Sequence, residues 1–196
     1  MGLPLEGVRI LAVEHYGAGP FGSMHLADLG ADIIKIENKS VGGDSARHVA
    51  PYLLGENDSQ FFQSMNRNKR SMALDLKSSE GRNIFEKLVA IADGVTSNLR
   101  GDQPEKLKLT YKDLSKFNKK IVCAHISAYG RSGPRVNWPG YDYLMQGETG
   151  FMYLTGEPDG PPSRMGLSIV DWTTGLTNML GLVSSILSAK ETGIGR

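Results

Sequence analysis

Apolar residues fall along this chain in short β-branched runs separated by stretches of helical spacing. Gly7–Val13 is such a run and predicts a buried strand. A turn follows at Gly17-Ala18-Gly19-Pro20. Phe21, Met24, Leu26 and Leu29 then recur at helical spacing, with Gly30 placed as the residue just past the helix. Ala31–Glu37 reads as a second strand, so the opening is a βαβ unit with parallel strands and a right-handed crossover. Residues 38–64 look irregular. Beyond them the pattern predicts a strand over Ser71–Leu76, an amphipathic helix over Ser79–Ala92, and strands over Gly94–Asn98 and Ile121–Ser127. Gly130–Gly140 reads as a loop. Leu167–Val170 reads as the end of a further strand, and Trp172–Ala189 as a long helix. Its stripe of Leu176, Met179, Leu180, Val183 and Leu187 is expected to face the core. Strands alternating with helices define an α/β domain with a mainly parallel sheet flanked by helices.

Composition narrows the class. Apolar residues make up 40% and charged residues 22%, enough for a packed core. A net charge of +1 argues against a dedicated nucleic-acid binder, which carries a basic excess. The single cysteine, Cys123, rules out a disulfide framework within the chain and favours a reducing compartment. No apolar stretch approaches a membrane span, and the N-terminus has no basic, apolar leader pattern, so a cytoplasmic protein with no membrane partner is expected. The 196 residues fit one large domain or part of a longer protein, and the closing Glu191–Arg196 reads as a helix end followed by a turn, as in an incomplete domain.

Two local patterns could carry chemistry. Gly17-x-Gly19-x-x-Gly22 follows a strand and opens a helix, and Glu37 stands 20 residues after Gly17 at the end of the next strand. Those features satisfy a dinucleotide-binding fingerprint. Glycines let backbone approach a phosphate and the helix N-terminus favours its charge, yet an ordinary βαβ turn has the same look. Asp171 sits between an apolar run and the long helix. It reads either as an N-cap or as a carboxylate kept ionised by a helix N-terminus, the state an acyl-transfer nucleophile needs. Asn66-Arg67-Asn68-Lys69-Arg70 reads as a solvated turn or a phosphate site. The four histidines, His15, His25, His48 and His125, have no metal-ligand spacing, so no metal is expected, and Cys123 belongs to a core strand.

Taken in order, the motifs resemble the class III CoA-transferases (CaiB/BaiF), the family of formyl-CoA transferase, carnitine CoA-transferase and α-methylacyl-CoA racemase. Its opening is matched by Leu5-Glu6-Gly7-Val8-Arg9-Ile10-Leu11, Gly19-Pro20-Phe21 and Ala27-Asp28-Leu29-Gly30-Ala31-Asp32 running on to Glu37. Asn66–Ser71, Leu74-Asp75-Leu76-Lys77, Tyr129–Pro134, Pro139-Gly140-Tyr141-Asp142 and Thr155–Pro162 continue the match to Thr192–Gly195. The resemblance implies a Rossmann-like large domain binding coenzyme A rather than NAD, with residues 1–196 its N-terminal portion. A smaller domain and a Gly-rich loop would lie outside this sequence. It also implies an interlocked homodimer.

The family's catalytic aspartate falls on Asp171. Its CoA contacts fall on Gly17 and Ala18, on Leu74 to Lys77, on Asn98, Leu99 and Arg100, and on the segment Pro139 to Asp142, which carries Tyr141. Asn38 stands where family members often have Arg, with Lys39 the substitute contact; Leu99 stands for Phe and Lys106 for Arg. Lys lacks the two-pronged reach of Arg. The implied partners are an acyl-CoA and a free carboxylic acid, with CoA as substrate and no permanently bound cofactor. The implied reaction is CoA transfer through a covalent aspartyl intermediate. A racemase of the same family, which has His where Tyr141 stands, and a non-catalytic nucleotide-binding fragment are the alternatives.

Overall fold

A computed structural model describes residues 2–196. In chain order it has β1 (Arg9–Val13), α1 (Ala18–Asp28), β2 (Asp32–Glu37), β3 (Leu53–Gly55), β4 (Asp58–Ser59) and α2 (Gln60–Asn66). These are followed by β5 (Arg70–Ala73), α3 (Ser79–Val89), β6 (Gly94–Ser97), α4 (Gln103–Lys106), α5 (Tyr111–Leu114) and β7 (Val122–His125). The last three elements are α6 (Asp142–Glu148), α7 (Phe151–Leu154) and α8 (Ile169–Thr192). The segment expected to be irregular thus holds a small antiparallel β3–β4 pair, two 3₁₀ turns and α2.

Five strands pair into one sheet of order β5-β2-β1-β6-β7, every neighbour parallel. Side chains alternate across the central strand, as the pleat requires. Ile10 and Ala12 enter a core shared with Leu26, Met179, Leu182 and Ile186 from α1 and α8. Leu11 and Val13 enter a second core with Phe85 and Val89 of α3 and Leu114 of α5. The result is three layers, helices on both faces of the sheet. From β1 the chain moves outward to β2 and β5, then crosses back to β6 and β7. The strand order therefore reverses between β1 and β6, where open α/β sheets leave a crevice at the strands' carboxyl ends.

Two expectations are corrected. Leu167–Val170 forms no strand: Ile169 begins α8. A four-residue apolar run fits either state, and the backbone N–H groups of its C-terminal end are taken up by Asp142 of α6. The stripe expected to face the core is also rotated. Gly175, Met179, Leu182, Ile186 and Ala189 are buried, whereas Leu176, Leu180 and Leu187 are exposed. Both faces of α8 are apolar, and Gly175 decides between them by letting α1 approach.

Candidate active site

The turn between β1 and α1 stands at the mouth of the crevice, and it is held from both sides. Asn98, just past β6, accepts a hydrogen bond from His15 N at 2.9 Å and donates one to His15 O at 2.7 Å. Asp44 accepts from Tyr16 N at 2.9 Å, fixing a residue whose φ is +64°. Asp44 is itself buried against Lys35, 2.7 Å away, and Lys35 also donates to Glu14 O. Lys69 is buried against Glu14 at 3.0 Å and donates to Pro20 O and Asn66 Oδ1. Each buried charge here has an opposite partner, although Glu14 Oε2 is left without a hydrogen bond, and the cluster fixes the turn at both ends.

The three fingerprint glycines make room for protein rather than for a dinucleotide. A methyl group on Gly17 would collide with Asp171 Oδ2. One on Gly19 would lie 2.9 Å from Glu14 Cβ and 3.0 Å from Asn98 Cγ. One on Gly22 would lie 2.6 Å from Gly175 O, and one on Gly175 would collide with Ala18 O. The backbones of α1 and α8 therefore touch, and Phe21 stacks on Trp172 at 5.3 Å beside the contact. Asp171 lies one turn before Gly175, which sets its carboxylate against Gly17. Glu37, which a dinucleotide's ribose would need, is already engaged. Burial would raise its pKa, but Arg47, Ser71 and Asp44 N outweigh that and hold it at about 2.

Asp171 is half-buried in the first turn of α8. It is not the N-cap; that position is Ser168, which makes no side-chain cap bond. Nor does the helix terminus hold the carboxylate at an ordinary value. Burial first, then the negative charge of Asp142, push its pKa up from 3.8 to about 6. The group is still ionised at neutral pH, and it is more basic than an exposed carboxylate.

The other expected contacts gather unevenly. Gly17 and Ala18 lie at the N-terminus of α1, beside Asp171. Leu74 is buried past β5, its N–H bonded to Glu37 O, and Lys77 follows in an exposed turn closed by Asp75. Lys39 opens a 3₁₀ turn past β2. Leu99 packs on the second core, while Arg100 and Lys106 both pair with Asp102, at 3.4 and 2.7 Å. All of these follow the carboxyl ends of β1, β2, β5 and β6, the side of the sheet where the crevice opens. Tyr141 comes from the α6 side, half-exposed and stacked on Tyr143 at 6.0 Å. Asn98, by contrast, spends its amide on His15. The Asn66–Arg70 segment offers no free phosphate site: Lys69 is bound to Glu14, Arg67 to Asp28 and Arg70 to Asp32.

Sequence reasoning missed Asp142, Gln146, Asp44 and Gly175. Only Asp142 lay in a segment already singled out, and there it was read as facing a ligand. A groove of about 780 Å³ lies elsewhere, along β7 and α8 past His125 and Asn178, and does not include Asp171. His125 there contacts Ser97 Oγ at 2.8 Å, and burial, then Arg131, lower its pKa to about 4. Among the described residues no cluster of His, Cys, Asp and Glu could hold a metal, and no helix is long and apolar enough to cross a membrane.

The fold is thus an open parallel α/β sheet with the half-buried carboxylate of Asp171 set against the β1–α1 turn, beside the switch in strand order. Residues 5–196 match CoA-transferase family III, and the chain belongs to that family. It is 38% identical to succinate–glutarate CoA-transferase of Agrobacterium fabrum, over 98% of this chain and 49% of that protein. It is 37% identical to acetyl-CoA:oxalate CoA-transferase of Acetobacter aceti, over 98% and 49%. A CaiB/BaiF family protein from Brucella suis superimposes with a TM-score of 0.91 at 35% identity, covering 100% of this chain and 52% of that one. The chain spans about half the length of the curated relatives it matches.

Proposed function

We propose that the protein to which this chain belongs transfers CoA from an acyl-CoA to a free carboxylate, with Asp171 as the nucleophile. The observation that carries the reading is the carboxylate of Asp171 set against Gly17 at the topological switch point, raised in basicity yet ionised at neutral pH. Asp171 attacks the thioester carbonyl, giving a mixed anhydride and CoA thiolate. The thiolate attacks the aspartyl carbonyl, releasing the donor acid and leaving an aspartyl-CoA thioester. The acceptor carboxylate attacks that thioester, and the thiolate then takes the acceptor's acyl group and frees Asp171. Each exchange replaces one difficult step with two easier ones.

The α1 N-terminus beside Asp171 has backbone N–H groups without intrahelical partners, the donor type a developing oxyanion requires. Gly17, Ala18, Lys39, Leu74, Lys77, Leu99, Arg100 and Lys106 are proposed to line the path of CoA. Tyr141 stands where the family's racemases have His, which favours transfer over racemisation. Relatives named for succinate, glutarate and oxalate support a dicarboxylic acid as one substrate.

The test is chemical trapping on the complete protein. After addition of succinyl-CoA, hydroxylamine is expected to convert Asp171 to a hydroxamate, seen by mass spectrometry of the peptide carrying it. Turnover of succinyl-CoA with no adduct at residue 171 overturns the assignment.

A further inference from the structure

The first turn of α8 has no cap of its own. Ile169 N donates to Leu167 O and Trp172 N to Ser168 O, which leaves the N–H groups of Val170 and Asp171 for an outside acceptor. Asp142, 29 residues earlier at the start of α6, supplies it: one carboxylate oxygen accepts from Val170 N at 2.8 Å and from Asp171 N at 3.1 Å. Its other oxygen accepts from Gln146 Nε2 at 2.5 Å. Gln146, fully buried, also donates to Leu167 O at 3.1 Å and accepts from Met165 N at 3.0 Å, so the strand of chain entering α8 is tied to α6 at three points. Asp142 itself is 6% exposed, and all its bonds are internal.

We propose that Asp142 is a positioning residue for Asp171: it fixes the backbone from which the nucleophile projects and sets a second negative charge beside it. The proposal rests on Asp171 being the nucleophile. The fixed backbone holds the carboxylate at Gly17, and the neighbouring charge makes its oxygen more basic and a stronger attacking group on a thioester.

The other charged groups nearby are otherwise engaged. On α6, Glu148 pairs with Arg135. On α1, His25 and Asp28 lie at its far end, Asp28 with Arg67. In the β1–α1 turn, Glu14 is bound by Ser23 and Lys69. After burial, the charge of Asp142 is what raises the Asp171 carboxyl.

The test is the pH profile of kcat/KM for succinyl-CoA in the complete enzyme. Two neutral variants are compared, Asp142→Asn and Asp142→Ser, each with an oxygen that can still accept a backbone N–H. The unaltered enzyme is expected to lose activity below about pH 6, where Asp171 is protonated. In both variants that limb is expected to move down by roughly half a unit or more, with a lower plateau kcat and a KM for acyl-CoA changed less than about twofold. Hydroxylamine labelling of residue 171 separates this inference from the reading beneath it. Labelling with an unmoved limb in either folded variant overturns the role of Asp142 alone. An acid limb near pH 4 in the unaltered enzyme overturns it without any variant. Absence of label during turnover overturns the nucleophile itself.

Discussion

The proposed nucleophile weakens the fold that carries it. In the unfolded chain Asp171 ionises at its ordinary value of 3.8; in the folded chain it does so at about 6, because of burial and then the charge of Asp142. At 1.36 kcal/mol per pKa unit the difference is worth about 3 kcal/mol. The carboxylate is only half-buried, and solvent screening reduces this to about 1–2 kcal/mol. For an acid whose folded pKa is raised, the unfolded state releases its proton first. The penalty is therefore absent well below the unfolded value, at about pH 3 and lower, where both states are protonated, grows from about pH 3 to 6, and stays constant above. Asp171→Asn removes the charge with little change of shape, and no cap bond is lost because Asp171 makes none. The variant is expected to be more stable than the unaltered protein at pH 8 by about 1–2 kcal/mol and equal to it at about pH 3. Denaturant midpoints of the complete protein at the two pH values measure this, with CD as the probe. A variant no more stable at pH 8, or a gain of the same size at both pH values, refutes the reasoning.

Gly175→Ala drives a methyl group into Ala18 O across the α1–α8 contact. It is expected to cost about 1–3 kcal/mol and to lower kcat more than tenfold with a smaller effect on KM, checked by thermal unfolding and steady-state kinetics. Burial pushes the Cys123 thiol up to about 12, so its thiolate is scarce at pH 8. Alkylation by iodoacetamide is expected to run roughly a thousandfold slower than for an exposed cysteine, and Cys123→Ala to keep full activity.

The sheet was legible in the sequence because its signals are local. β1 and β2 lie in short apolar runs, β5 falls within the expected segment Ser71–Leu76 but for its first residue, and Gly30, at φ +97°, ends α1 where its position suggested. What stayed hidden depends on contacts between distant segments. Nothing in the spacing of Leu176, Leu180 and Leu187 reveals that they face outward, because the choice of face rests on Gly175 meeting Gly22. The cap on α8 was invisible for the same reason: Asp142 is 28 residues from Val170. Glycine spacing also misled in one respect. The Gly17–Gly22 pattern satisfies a dinucleotide fingerprint, but its glycines are required by Asp171, Asn98 and Gly175.

The contact of Gly22 with Gly175 also bears on how such a site can change over evolutionary time. Two main chains in direct touch form a fixed datum, with no rotamer to relax and no methylene to trim. Side chains around the acid can be exchanged to admit a longer, shorter or more polar substrate without moving the carboxylate relative to the first turn of α1. On the proposed reading of Asp171, specificity and reactivity sit on separately adjustable parts, one built from replaceable walls and the other from backbone. Substitutions that retune the substrate should gather away from the α1–α8 crossing, and those at the crossing should extinguish turnover for every acid alike.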